Sequence, residues 1–198
     1  MNLIKSLHPE DRAHCYRVAA LSQLLARLAG YKEKEVRTIY QSALFHDIGK
    51  IAIPLTVLHK PTSLSEREMA IVQTHTTIGA EMLKHWSSSM PTAAIVARQH
   101  HERLDGTGYL GMKRTQIHHH AKLVMVADVF DALISSRSYK APWDVPSICF
   151  YLDNLAGTQF DSDIVELLLN HIEQVLELYQ GRKTHKEKNV YLLCIYAP

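Results

Sequence analysis

The stretch His46-Asp47-Ile48-Gly49-Lys50 organises the reading of this chain. An imidazole and a carboxylate stand side by side, and a small residue and a cation follow at once. Imidazole nitrogen and carboxylate oxygen together can hold one divalent ion, and the second carboxylate oxygen can bridge to another. Lys50 adds a positive group suited to an anionic substrate such as a phosphodiester. In isolation a His-Asp pair marks only a solvated helix end. The recurrence of His, Asp and Glu elsewhere, at places where helices could aim them at this pair, changes that reading.

Working outward, apolar residues recur at helical spacing on both sides. Val18, Leu21, Leu25 and Leu28 predict a helix over residues 9–28, opened by Pro9 and stopped by Gly30. Glu10, His14 and Arg17 share one of its faces and read by themselves as a surface salt-bridge row. A second helix over residues 32–47 buries Val36, Ile39, Tyr40, Ala43 and Leu44 and ends at the His-Asp pair, where Gly49 lets the chain turn. Residues 51–63 read as a loop with Pro54 and Pro61. Ser65, with Glu68 at the reciprocal position, caps a third helix whose apolar face runs from Met69 to Leu83 and which carries His75 mid-helix. Read alone, His75 is a hydrogen-bonded core residue.

The next helix, residues 92–101, ends in His100-His101-Glu102, two imidazoles pointing about 100° apart. Asp105-Gly106-Thr107-Gly108-Tyr109-Leu110-Gly111 follows as a loop whose backbone can approach another group closely. His118-His119-His120 opens a further helix. Three successive side chains fan round a helix, so the triplet reads as surface. The helix itself, with Leu123, Val124, Val126, Ala127, Phe130 and Leu133, is apolar on most sides and therefore central. Asp128 and Asp131 interrupt it, and a carboxylate buried there is costly unless paired or metal-bound. Helices over residues 144–155 and 161–179 complete one all-α domain spanning residues 1–180, with 181–198 as a tail.

Composition bounds the function. A net charge of +2 gives no bulk electrostatic case for a nucleic-acid polymer or a membrane surface. Cys15, Cys149 and Cys194 lie far apart without CxxC spacing, which predicts free thiols and no zinc–thiolate site. No apolar run reaches membrane-spanning length and the N-terminus lacks a signal-peptide core, so cytoplasm is the expected location. Thirteen His is high for 198 residues. Six of the ionisable positions, His46, Asp47, His75, His100, His101 and Asp128, call for one explanation: nitrogen and oxygen donors without sulfur suit Mn, Fe, Zn or Ni.

The ordered series His14…Arg17, HDIGK (46–50), THTTIGAEML (74–83), HHERLDGTGYL (100–110), ADVFDAL (127–133) and RSYK (137–140) resembles the HD-GYP family of HD-domain metal-dependent phosphohydrolases, from Glu10 to about Asp161. The resemblance implies an HD-domain helical bundle of about seven helices. It implies a cyclic di-GMP phosphodiesterase yielding linear pGpG, and onward GMP, by a metal-bridging hydroxide on two or three divalent ions, Fe or Mn. By motif match His46, Asp47, His75, His100, His101 and Asp128 would be ligands, with Asp47 bridging. Glu10 and His14 would serve a third ion. Lys50 would act on the scissile phosphate beside Asp47. Gly108, Tyr109, Asp131, Arg137 and Lys140 complete the expected substrate contacts, the last two as a phosphate clamp.

This chain has Gly108-Tyr109-Leu110 where the family has Gly-Tyr-Pro, and it looks shortened after that point. Restoring Pro at position 110 is expected to reduce loop entropy and strengthen cyclic di-GMP binding or turnover. A phosphohydrolase for another cyclic dinucleotide or nucleotide, and a catalytically weak cyclic di-GMP receptor, are the alternatives. Expected partners are cyclic di-GMP and a second copy of the chain or an upstream sensory domain or protein.

Overall fold

The computed structural model describes residues 3–86, 90–136 and 141–179. Its α-helices are α1 (Pro9–Leu28), α2 (Glu33–Leu44), α3 (Leu55–Leu58), α4 (Glu66–Gln73), α5 (His75–Trp86), α6 (Pro91–Gln99), α7 (His119–Ile134), α8 (Val145–Asn154), α9 (Ser162–Asn170) and α10 (Ile172–Glu177). Short 3-10 turns lie at Leu3–Ser6, Ile48–Ala52 and Arg114–Gln116. Among the described residues there is no strand, only an isolated bridge between Ala156 and Phe160. The fold is all-α, as the periodicity predicts. The expected tail lies outside the described residues.

The helices form because their apolar residues recur on one face and find partners. α1 buries Val18, Leu21 and Leu25 against α2, which contributes Val36, Ile39 and Ala43, and against α7. α7 is the central helix: eleven of its residues, from His120 to Leu133, are buried. Around it α8, α9 and α10 add Ile148, Leu152, Val165, Leu168 and Val175 to one large apolar cluster. A second, smaller cluster gathers Ile4, Leu7, Cys15, Phe45, Ile48, Leu83, Ala93, Ala94 and Ala97 where α5 and α6 pack together. Cys15 is a free, buried thiol, as its spacing predicts.

Four boundaries differ from the periodic reading, two of them at site residues. The helix expected over residues 161–179 is two, α9 and α10, parted at His171. α2 stops at Leu44, so His46 and Asp47 occupy the turn that follows and not the helix itself. The single helix expected across residues 65–83 is two: α4 ends at Gln73 and α5 begins at His75. The capping box forms as expected, with Ser65 Oγ accepting from the Glu68 amide and Glu68 Oε2 accepting from the Ser65 amide. α4 nevertheless buries nothing, and Met69 is exposed, because its apolar positions belong to a different helix from Ile78 and Leu83. The segment expected as loop, residues 51–63, contains the end of a 3-10 turn and α3.

Gly49 has a different role from a flexible turn. A Cβ there would meet the His75 carbonyl and the Gly79 amide, both backbone. The 48–52 turn thus lies directly on the start of α5, which brings the His46-Asp47 pair against His75. Backbone cannot yield as a side chain can. Gly49→Ala is expected to cost about 1–3 kcal/mol through overpacking, about 2–4 °C of melting temperature for each kcal/mol in a chain of this size. Thermal melting of the metal-free protein checks this, and an unchanged midpoint would show that the contact is not tight.

Candidate metal centre

Helix ends and turns, more than helix interiors, present the site's side chains. His46 and Asp47 come from the turn after α2, His75 from the first residue of α5, His100 from the C-cap of α6, and His101 from the next position. His14 and Asp128 reach in from the middle of α1 and α7. Two neighbouring groups result. In each, one ligand atom per residue lies within 4.8 Å of the others: Asp47, His75, His100 and His101 in one, and His14, His46 and Asp128 in the other.

Asp47 joins the two groups. Its Oδ1 lies 3.2 Å from His75 Nε2 and 3.5 Å from His100 Nε2. Its Oδ2 lies 3.4 Å from His46 Nε2, 3.7 Å from His14 Nε2 and 2.6 Å from Lys50 Nζ. Asp128 stands across from it, 2.9 Å from His14 Nε2, 3.8 Å from His46 Nε2 and 3.9 Å from His101 Nδ1. Each of the two oxygens of one carboxylate therefore faces its own set of imidazoles.

The tautomers follow from the backbone. Nδ1 of His46, His75 and His100 each meets the carbonyl three residues earlier, Ala43, Val72 and Ala97, at 2.6, 2.6 and 2.9 Å. A carbonyl only accepts, so each Nδ1 carries the hydrogen and each Nε2 presents a lone pair. His75 Nε2 and His100 Nε2 then face one another at 3.3 Å as two acceptors, beside a carboxylate. His46 Nε2 and Asp47 Oδ1 are buried without a hydrogen-bond partner among the described residues. Converging acceptors with no donor between them fit a cation, and the pattern is how metal-binding imidazoles are held elsewhere. Cys15 lies beside His46 and Asp47. Burial holds its thiol well above its usual range, which suits a packing residue.

The charges agree with this. Burial alone would raise the Asp47 carboxyl, but Lys50 and His46 overcome it and hold the group well below its usual range. Asp128 is likewise depressed, burial being outweighed by His14. Burial would lower His14, but its hydrogen bonds to Asp128 and Asp131 raise it to about 9. For His100 burial outweighs the support of Asp47 and lowers it to about 4. The field between the two aspartates thus favours positive charge.

Asp131 is placed otherwise than expected. It is fully buried, accepts from Arg17 Nε at 2.7 Å and lies 2.6 Å from His14 Nδ1. Both oxygens are engaged, so it orients His14 and does not face a substrate. The row Glu10, His14 and Arg17 is likewise no surface feature, since His14 is buried and Arg17 reaches Asp131. Glu10 groups with His8 and His59 and not with His14 and Asp128. Lys50 Nζ also reaches Asp11 Oδ1 at 3.4 Å, a partner that the sequence left unnoticed. Burial would lower the Lys50 amine, and Asp47 and Asp11 together raise it above its usual range. Arg137 and Lys140 lie outside the described residues.

The 105–111 loop is built on Glu102, another residue without a signal in the sequence. Its buried carboxylate accepts from the Leu110 amide and the Met112 amide, both at 2.7 Å. A Cβ on Gly108 would meet the Glu102 and Arg103 backbone, so only Gly lets the loop lie this close. The loop carries Tyr109 to the rim of the site, its ring 4.6 Å from that of His101. The Leu110 amide bond reverses the expectation for proline. Leu110→Pro removes a donor to a buried carboxylate, worth about 1.5–3 kcal/mol, and is expected to lower the melting temperature without tightening substrate binding. A raised melting temperature would show that the loop tolerates the loss.

A family model described as an HD domain matches residues 1–164. The chain is 38% identical over 179 residues, 89% of its length, to 3'3'-cGAMP-specific phosphodiesterase 2 of Vibrio cholerae. It is 41% identical over 164 residues, 82% of its length, to the cyclic di-GMP phosphodiesterase response regulator RpfG of Xanthomonas campestris pv. campestris. It spans 34% and 43% of those two relatives. In fold it is similar to the HD domain of the L. monocytogenes phosphodiesterase PgpH, solved in complex with cyclic-di-AMP, with a TM-score of 0.66 at 19% identity, covering 94% of this chain and 100% of that one. These matches agree with the HD-GYP resemblance of the motifs, and the chain belongs to the HD domain family.

Proposed function

We propose that this chain is the catalytic domain of a metal-dependent phosphodiesterase that opens a 3',3'-cyclic dinucleotide, with cyclic di-GMP as substrate and linear pGpG, then GMP, as products. The observation that carries the reading is Asp47, whose two oxygens serve two adjoining sets of imidazoles beside a cation. His46, Asp47, His75, His100, His101, Asp128 and His14 would hold two divalent ions, with Glu10 available to a third. The nitrogen and oxygen donors suit Fe or Mn. When bound, such ions supply an acidified water as nucleophile and neutralise charge on the phosphate.

The chain's own residues do the rest. Lys50 stays protonated through Asp47 and Asp11 and places a positive charge beside the site, where a phosphate oxygen can take it. Tyr109 on the Glu102-anchored loop forms one wall, and its ring offers a face for a base. Arg137 and Lys140 would serve as a phosphate clamp. Asp131 and Arg17 hold the His14 ring in the orientation that points Nε2 at Asp128. A cytoplasmic setting and an input from a sensory domain or a second copy fit such an enzyme. Among the described residues no helix is long and apolar enough to cross a membrane.

One specific observation favours a second reading of the substrate: a relative with 38% identity is named for 3'3'-cGAMP. The full chain, loaded with Fe or Mn without oxygen, is to be assayed on cyclic di-GMP and 3'3'-cGAMP with products separated by chromatography. Preferential pGpG formation supports the first reading, and faster 3'3'-cGAMP opening the second. Binding of either without turnover makes the chain a receptor and overturns the enzyme. Asp47→Ala is expected to lose bound metal and activity together, and retention of both would refute the site. Asp131→Asn is expected to weaken the ion nearest His14 about 10–100-fold, as removal of an orienting carboxylate does elsewhere. Metal titration checks this, and an unaltered affinity would leave Asp131 a purely structural role.

A further inference from the structure

We propose that His118, His119 and His120 form a separate transition-metal site at the start of α7, remote from the centre around Asp47. The triplet was expected to fan round a helix. It does not, because His118 is outside the helix: it is the N-cap, with extended backbone at φ −63° and ψ 140°. Its ring turns back over the first turn. One ligand atom from each imidazole then lies within 4.8 Å of the others, and the ring centroids are 4.3, 4.9 and 4.3 Å apart.

A second observation points to a ligand. His120 is only 5% exposed, yet neither of its ring nitrogens has a hydrogen-bond partner among the described residues. A buried polar group of this kind calls for an ion or a water. The nearest charge is Glu35, whose Oε1 lies 3.9 Å from His120 Nε2, too far for a hydrogen bond but placed to balance a cation. Tyr31 walls the site, stacked on His119 with planes 2° apart and meeting His120 edge-on. Burial, and then the neighbouring His119, lower His118 and bring His120 to about 4.

Three imidazoles and a nearby carboxylate, without thiolate, select ions of the borderline class such as Ni2+, Zn2+ or Co2+ over Ca2+ and Mg2+. His118 Nδ1 now accepts from the His120 amide at 3.1 Å. A metal bound at Nδ1 displaces that bond, and one bound at Nε2 requires the ring proton to move to Nδ1. His120 precedes Asp128 by eight residues on α7, about 12 Å along the axis, so the two sites cannot share an ion.

The test is equilibrium dialysis of the full chain against Ni2+ with elemental counting, for wild type and H118N/H119Q. Asn keeps an N-cap acceptor and His119 is exposed, so this variant keeps its fold. The same pair is compared again with Asp47→Ala added, which disables the other centre. One more Ni2+ per chain in the wild-type triplet, in both backgrounds and with unchanged turnover of the otherwise native enzyme, is the expected result. H120Q should lose the same ion. Equal counts with and without the triplet overturn the proposal, and so does a loss confined to chains with an intact Asp47, which would mean one shared centre.

Discussion

The structure depends on burying the Asp47 carboxylate, which is 2% exposed. Removing such a charge from water costs on the order of several kcal/mol unless positive partners surround it. Five imidazoles, from His14, His46, His75, His100 and His101, and the Lys50 amine lie around it or around the facing Asp128. They come from α1, the turn after α2, the start of α5, the end of α6 and the turn beyond it. The chain must bring these segments to one point, and the two apolar clusters supply the packing that does so.

Around that carboxylate the backbone acts as an instrument of chemistry. Three imidazoles use the carbonyl three residues earlier to fix which nitrogen holds the proton. The same local bond recurs in three unrelated segments because a turn or helix end leaves that carbonyl within reach of the ring. His14, in mid-helix, has no free carbonyl of this kind. A carboxylate 2.6 Å away in space but 117 residues away in sequence, Asp131, takes the same place, with Arg17 to compensate its charge.

Close backbone approach is the other recurring device. Gly49 rests on the start of α5, and Gly108 rests on the chain at Glu102. Each contact brings a turn bearing a site residue onto the segment bearing another: Asp47 to His75, and Tyr109 to His101. Glu102 satisfies two amides of the loop that Gly108 allows to fold down. Leu110 thereby donates a hydrogen bond that a proline at that position could not make.

The sequence by itself determined the all-α class, the central place of α7, the capping box at Ser65 and the family, because these rest on local periodicity, local hydrogen bonds and ordered motifs. It also named the residues that the tertiary structure gathers around Asp47. Only the tertiary structure decided where helices stop. Periodicity runs on from Met69 to Leu83, whereas the break at Thr74 is set by the turn that packs on His75. Asp131 looked like a substrate contact because its partners, His14 and Arg17, lie on a distant helix. Glu102 and Asp11 gave no signal, since a lone acid in a sequence does not reveal which amide or amine will meet it. The His triplet was misread for a related reason: whether His118 is helical or a cap is a matter of two backbone angles, and those angles decide whether three neighbouring rings diverge or meet.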